Sequence, residues 1–232
     1  MTTPITLTPL TILPYGVSTA AGAIDTDGTL AADTDDRVSS QRATKTYADT
    51  KVAKDALVCN VRDYGALGNG VTDDTAAFTA ALATVISEGT IYVPTGTYIV
   101  SSTVVIPANV TTRGEGLATT IKLKAASNTD VISLAAGSAL ISLVVDQNRD
   151  GSQTSGSGVC IAGANVTIER VTIRNCKDIG IYTVADTASF PIDGIRILNN
   201  YITACNNGMR FWTDTANTSG ILIEGNTIDL SA

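Results

Sequence analysis

The most regular feature of this chain is a pattern of short apolar–polar alternations from about residue 104 onward. One set of copies has apolar residues at its first, third and eighth positions, and these copies are residues 166–173, 195–202 and 221–228. They recur at roughly 25–30 residues, a period typical of solenoids. Such alternation predicts strands with one buried face, and no segment within a repeat shows the period of a helix.

A second set of copies supports the same register. Each presents a glycine followed by an apolar residue, at Gly158, Gly180 and Gly208. These glycines recur at a period similar to that of the first set. Asp130 lies a comparable interval before Gly158 and is predicted to begin an earlier coil. Residues 140–145 are predicted to form a further copy of the first set.

Strands this short, repeating roughly every 20–30 residues, cannot form hairpins within a repeat. They must pair with the equivalent strands of neighbouring copies, which then lie about 4.8 Å apart. A β-propeller is the alternative, but its blades need roughly 40–50 residues. We therefore predict an all-β fold, a right-handed parallel β-helix, whose coils occupy residues 104–232.

Two columns of the repeat carry side chains that we expect to stack between coils. Cys176 and Cys205 occupy equivalent positions, which predicts a ladder of buried thiols, with a disulfide as the alternative. Asn200 and Asn226 also share one position, which predicts an amide ladder at a turn, with a binding role as the alternative.

Residues 58–103 have a different pattern of apolar and polar residues and are predicted to form a capping module. Thr72 or Asp73 is expected to cap a helix that Gly89 ends. Strands are predicted over residues 90–93 and 97–100. Four residues of the helix follow the spacing of a buried stripe: Phe78, Ala81, Leu82 and Val85.

The N-terminal residues divide into two further segments. Residues 1–36 are rich in Thr, Ala, Gly, Pro and Asp and predict an extended segment with at most a short strand. Residues 37–57 show a weakly apolar stripe at helical spacing. A lone helix with this stripe would not be stable, so a trimeric bundle and a partly ordered linker remain alternatives.

Composition narrows the classes of function. Hydrophobic residues make up 44% of the chain and charged residues 16%, which suits a sizeable core. The net charge is −7 without a basic run, so nucleic acid is a poor partner. No apolar stretch approaches the roughly 20 residues of a membrane span, so membrane insertion is not expected. The four cysteines form no CxxC pair and no secretory signal is visible, so we expect reduced thiols and folding in a cytosol.

Two short runs then suggest a family. Residues 63–66 (Asp-Tyr-Gly-Ala) and 70–75 (Gly-Val-Thr-Asp-Asp-Thr), with the following helix and the strand pair around Pro94 and Gly96, closely resemble the capping module of the pectate-lyase-like superfamily. In that family the helix covers the N-terminal end of the β-helix. The first coil of a solenoid otherwise exposes its core and its backbone edge.

Residues 25–49 resemble a segment of bacteriophage tail fibres and tailspikes, where it lies between the virion-attachment end and the receptor-binding part. The resemblance implies a homotrimer that attaches through its N-terminus to other tail or baseplate proteins. It also implies contact with a bacterial surface polysaccharide, often with cleavage of that polysaccharide. The protein would then act on the virion tail at the host surface after synthesis in the host cytoplasm. A non-catalytic adhesive tail protein and a cell-encoded polysaccharide lyase or hydrolase are the alternatives.

Candidate catalytic residues are carboxylates, because the chain contains no histidine and therefore lacks the Gly-His-Gly motif of hydrolases in this family. Glu169 and Glu224 share one position two coils apart, hence about 9.6 Å, near the limit for an inverting glycosidase. Leu198 between them is expected to raise a carboxyl pKa through desolvation. Asp146 at a strand end and Asp214 are further candidates.

Aromatic residues near the second set of copies predict a surface on which a sugar could stack. Trp212, with Phe211 and Tyr182, is the candidate platform, and Arg210 is a candidate glycan-binding residue. Further candidate carboxylates are Asp178, Asp186, Asp193 and Asp229, but most of them lie in turns, where Asp is common for backbone reasons alone. The acidic cluster around Asp146 is too small for a calcium site, so no metal or other cofactor is expected.

The end of the chain bears on the candidate site. Ala232 falls in the middle of a predicted coil. We therefore expect either a longer spike or another chain that covers this edge. In the first case part of the active site would lie beyond this segment.

Overall fold

The computed structural model describes residues 24–25, 38–39, 57–184, 193–212 and 220–231. The chain divides into two compact units, Met1–Asp55 and Ala56–Ala232. In the first unit, strand β1 (Ile24–Asp25) pairs in parallel with strand β2 (Val38–Ser39). The rest of the predicted extended segment 1–36 and helix 37–57 lies outside the described residues, so both stay predictions.

The second unit is a stack of short parallel strands in three sheets, which confirms the predicted parallel β-helix. Sheet A contains β3 (Val58–Asn60), β5 (Thr90–Tyr92), β8 (Thr111–Arg113), β11 (Ala139–Ile141), β14 (Thr167–Glu169), β17 (Arg196–Leu198) and β20 (Leu222–Glu224). Sheet B contains β4 (Asn69–Asp73), β6 (Gly96–Val100), β9 (Thr119–Leu123), β12 (Val144–Asp146), β15 (Thr172–Arg174), β18 (Tyr201–Thr203) and β21 (Thr227–Asp229). Sheet C contains β7 (Val104–Ile106), β10 (Ile132–Leu134), β13 (Val159–Ile161), β16 (Ile179–Thr183) and β19 (Asn207–Arg210).

The pairing confirms most of the predicted register. Ile168 pairs with Ile197 and Ile197 with Ile223, as the alignment of the first set of copies requires. One prediction was wrong by a single position. Ile132 pairs with Val159, so Asp130 lies opposite Ser157 and not opposite Gly158. A slip by one position would turn the fully buried Ile132 to the outer face, and the buried alternation therefore fixes this register.

The glycine column has a packing role. A Cβ on Gly158 would lie 2.4 Å from Cγ2 of Ile173, and one on Gly180 would lie 2.6 Å from Cγ2 of Ile202. Each glycine therefore leaves room for an isoleucine of sheet B that packs beside it in the core. The core consequently consists mainly of stacked Ile, Val and Leu side chains with no room for a larger residue at these positions.

Both predicted ladders are present. Asn200 is almost fully buried, and its Nδ2 donates to the Ile168 carbonyl (2.9 Å) and to Oδ1 of Asn226 (3.0 Å). Cys176 and Cys205 are both buried and free, which confirms stacked thiols and not a disulfide.

A helix, α1 (Thr75–Thr84), packs over the first coil as predicted, with Phe78 edge-on to Tyr98 at 5.8 Å between ring centroids. Its predicted bounds were too wide at both ends. Strand β4 stays extended through Asp73, and Asp74 is the N-terminal cap residue. At the other end Val85 is already extended, one turn before Gly89. No helix in the described part of the chain is long and apolar enough to cross a membrane.

Candidate functional site

An open groove of about 410 Å³ lies along the outer face of sheet C. The outward residues of this sheet stack in register, in the order Ser133, Cys160, Tyr182 and Arg210. The turns that lead from sheet B into sheet C supply one wall through residues 128–130 and 155–157. Tyr182 and Arg210 belong to coils that enter sheet C through much shorter turns.

Turn length explains why a groove exists here. The turns before β10 and β13 are long and span positions 124–131 and 147–158. Those before β16 and β19 are short and span only positions 175–178 and 204–206. The long turns rise beside the sheet, and the short turns leave the outer face of the next two coils open. The concave surface therefore arises from unequal turns on a regular stack of strands.

Tyr182 is held rigidly within the groove. Its hydroxyl donates to Oδ2 of Asp130 at 2.6 Å, and Oδ1 of Asp130 accepts from the backbone N–H of Ser157 at 2.9 Å. Burial, followed by this hydrogen bond to Asp130, raises the pKa of Tyr182 far above its usual range. The phenol therefore stays protonated and acts as a hydrogen-bond donor with a fixed ring, not as a base.

Trp212 lines the same groove and is about half exposed, at 49%. Its backbone is fixed by Thr183, whose Oγ1 accepts from the Trp212 N–H at 2.8 Å. The guanidinium carbon of Arg210 lies 5.3 Å from the Trp212 ring centroid, at cation–π distance. We call Tyr182, Arg210 and Trp212 the aromatic platform.

Two carboxylates line the groove beside the platform. Oδ2 of Asp178 accepts from the Gly156 N–H at 2.9 Å, while Asp130 accepts from the next amide, that of Ser157. Backbone geometry therefore places the two carboxylates within roughly 10 Å of each other. Asp178 was one of several candidate turn carboxylates predicted from the sequence, whereas Asp130 was missed because the register slip placed it at the glycine position of its coil.

The predicted catalytic pair lies on a different face. Glu169 pairs in register with Leu198, and Leu198 with Glu224, so the predicted two-coil spacing is correct. These residues belong to sheet A, whereas the aromatic platform lies on sheet C and the loop that follows it. Glu169 forms an ion pair with Arg170 at 2.8 Å. The structure therefore does not bring this pair together with the candidate sugar-binding residues.

Asp146 occupies a structural position on sheet B. It is 3% exposed, and its carboxylate accepts from Nε of Arg174 (2.8 Å), Nδ2 of Asn175 (2.9 Å) and the Asn148 N–H (2.8 Å). These donors come from its own coil and from the next coil, so Asp146 ties two coils together. Asp214 lies outside the described residues and stays a prediction.

Within the described ranges, no group of three or more His, Cys, Asp or Glu side chains is placed to hold a metal ion. The groove residues offer hydrogen bonds, an aromatic surface and fixed charges. These are the groups that commonly recognise a hydroxylated ligand such as a sugar.

The three-sheet parallel stack under a helical cap defines a parallel β-helix protein. Residues 58–142 match the family model described as "Rhamnogalacturonase A/epimerase, pectate lyase-like". This match covers the capping module and the first coils, where the sequence resemblance was noted.

Relatives by sequence fall into two groups. Mannuronan C5-epimerase AlgE5 of Azotobacter vinelandii is 36% identical, over 52% of this chain and 15% of the epimerase. The pre-neck appendage protein of Bacillus phage B103 is 41% identical, over 25% of this chain and 6% of the phage protein. The chain thus spans only a small part of the length of either relative.

Solved structures of phage proteins share the fold. The pre-mature gene product 12 of bacteriophage phi29 superposes with a TM-score of 0.55 and 26% identity, covering 66% of this chain and 23% of that one. ORF18 of Geobacillus virus E2 has a TM-score of 0.57 at 18% identity, covering 80% of this chain and 44% of that one. The second likeness concerns the fold alone.

Proposed function

We propose that this chain is part of a phage tail appendage that binds a bacterial surface polysaccharide through the groove on sheet C. The observation that carries the proposal is the aromatic platform of Tyr182, Arg210 and Trp212 in an open polar groove. A half-exposed tryptophan in the same groove as a fixed tyrosine offers a stacking surface for a sugar ring, and the arginine and the carboxylates offer hydrogen bonds to its hydroxyls.

Assembly into a homotrimer and attachment to the virion through the N-terminus are parts of the same proposal. Their support is the resemblance of residues 25–49 to tail fibres and tailspikes, together with the sequence relative named as a phage pre-neck appendage protein and the structural likeness to a phage gene product. The tail location and action at the host surface follow from that assembly. Sedimentation of the 232-residue chain tests the trimer, which a monomer at micromolar concentration would contradict.

The binding test uses surface polysaccharide purified from the bacterial host and measures affinity by calorimetry. Trp212→Ala should weaken binding about ten-fold or more, because one stacking partner is lost. Tyr201→Ala is the matched control, since Tyr201 is also an exposed aromatic (40%) but lies on sheet B. Equal affinities for the wild-type chain and the Trp212 variant would contradict the proposal.

Cleavage of the bound polysaccharide is a second candidate function. Its support is the position of Asp130 and Asp178, which accept hydrogen bonds from consecutive amides and therefore lie within roughly 10 Å of each other, the upper scale of the carboxylate separation in inverting glycosidases. Release of new reducing ends from the polysaccharide tests it. Asp178→Asn should abolish that release while the polysaccharide is still bound.

A further inference from the structure

We infer that the groove selects a neutral, hydroxyl-rich glycan and disfavours a polyuronate. This inference rests on the proposed function, because it names the substrate class of the same groove. It also separates this chain from its curated relatives that are named for mannuronan, a chain of uronic acids.

Charge in the groove is the first argument. Asp130, Asp178 and Arg210 line it, and Arg210 is the single cation among its described lining residues. Segments 185–192 and 213–219, outside the described ranges, contain no Lys or Arg at all. The lining therefore carries more negative than positive charge, on a chain whose net charge is −7.

Two further cations lie near the groove without lining it. Lys177 precedes Asp178, and its backbone N–H donates to Oε1 of Gln147 at 3.0 Å. The guanidinium of Arg149 donates to Oδ1 of Asn206 at 3.0 Å, so it is directed along the turns and not into the groove. Neither residue belongs to the lining, and the local balance in the groove stays negative.

Hydrogen-bonding capacity is the second argument. Asp130 and Asp178 are acceptors that their backbone donors fix in place, and each carboxylate has lone pairs left for sugar hydroxyls. Hydroxyl groups can donate to these oxygens, whereas a uronate carboxylate cannot. The same two residues therefore favour a neutral sugar and repel a charged one.

The repulsion between the groove carboxylates and a uronate is large enough to make the groove prefer a neutral sugar. Two like charges about 6 Å apart near a protein surface weaken binding by roughly ten-fold or more at low salt. Because each sugar of a polyuronate carries a carboxylate, at least one carboxylate must approach the pair. Salt should reduce the discrimination, since the Debye length falls to about 3 Å at 1 M.

The test compares two hexasaccharides with the same backbone, β-1,4-linked mannohexaose and hexamannuronate, on the 232-residue chain at low and high salt. Binding is followed by the fluorescence of Trp212, the only tryptophan of the chain. Mannohexaose should bind at least about ten-fold more tightly at low salt, and the ratio should fall at high salt.

The variant that tests whether the two carboxylates cause the preference carries Asp130→Asn and Asp178→Asn. These substitutions remove both charges and keep an acceptor oxygen at each site. It should bind hexamannuronate about ten-fold more tightly than the wild-type chain does. The matched control carries Asp63→Asn and Glu88→Gln, which change the net charge equally at exposed positions outside the groove. That control should leave the ratio of the affinities for mannohexaose and hexamannuronate unchanged.

The outcomes separate this inference from the proposed function. Hexamannuronate binding as tight as mannohexaose binding would overturn the neutral-glycan inference alone. If neither hexasaccharide binds while host polysaccharide still binds through Trp212, the neutral-glycan inference is overturned and the proposed function stands. Loss of any Trp212-dependent binding to host polysaccharide would overturn the proposed function itself.

Discussion

Replacing Asn200 with alanine should lower the free energy of unfolding by about 3 kcal/mol. The Asn200 side chain accepts from the Val171 N–H at 2.9 Å and donates to the Ile168 carbonyl at 2.9 Å. Asn200 is 2% exposed, so water cannot readily replace either partner. Each buried polar group left without a partner costs about 1–3 kcal/mol, and two such groups set the magnitude.

Asn226→Ala is the control, because Asn226 occupies the same position one coil further on. Its Nδ2 donates to the Ile197 carbonyl at 2.7 Å and its Oδ1 accepts from the Asn200 N–H at 2.9 Å, but these hydrogen bonds are only partly buried. Water can reach the groups that Asn226 would leave, so we expect a loss of about 1 kcal/mol.

Urea unfolding of the 232-residue chain, followed by circular dichroism, measures both variants. The dependence of the free energy on urea should stay unchanged, since neither substitution alters the surface exposed on unfolding. Equal losses for the two variants would refute the reasoning, because burial would then not determine the cost. A loss below about 1 kcal/mol for Asn200→Ala would show that the amide ladder adds little to stability.

Two further predictions concern titration and reactivity. The Thr75 hydroxyl, followed by the Ser101 hydroxyl, lowers the pKa of the Asp73 carboxyl. The ionised Asp73 therefore stabilises the fold at pH values above its unfolded pKa of about 3.9. This stabilisation is lost as the pH falls through the pKa of the folded state. Thr75→Val should raise the pKa of Asp73 in an NMR titration, and an unchanged pKa would contradict this. The hydrogen bond to Cys205, followed by burial, holds the pKa of the Cys176 thiol well above its usual range. Because all four cysteines are buried, a disulfide reagent should modify them only after unfolding, whereas rapid reaction of the native chain would contradict their burial.

The fold could be predicted because its main determinants are periodic. Each coil repeats a strand pattern, and parallel stacking converts equal sequence positions into vertical columns. The spacing of Ile168, Ile197 and Ile223 was therefore sufficient to give the register of sheet A. Asp130 was misplaced because turns of unequal length separate the sheets, and a glycine column gives no buried side chain to fix the register.

The candidate site was less predictable, because periodicity does not show which face a side chain occupies or what covers it. Tyr182, Arg210 and Trp212 line one groove, whereas Phe211, which the predicted platform also included, packs against the core. Asp146 has the sequence pattern of an exposed strand end. Arg174 on the next coil buries it, and this contact depends on long side chains that the strand pattern does not specify.

Unequal turns also explain how a regular solenoid acquires a local binding surface. The strands of sheet C are fixed by their buried alternation, whereas the turns before them range from the short turn at 204–206 to the long turn at 147–158 without disturbing the stack. The shape of the groove wall therefore depends on turn length and not on the strand pattern, and a change of turn length would reshape the groove while leaving the strand register intact. The acidic acceptors, Asp130 and Asp178, belong to these turns and can vary independently of the fold. A parallel β-helix can in this way carry different groups on its surface while its coils remain the same.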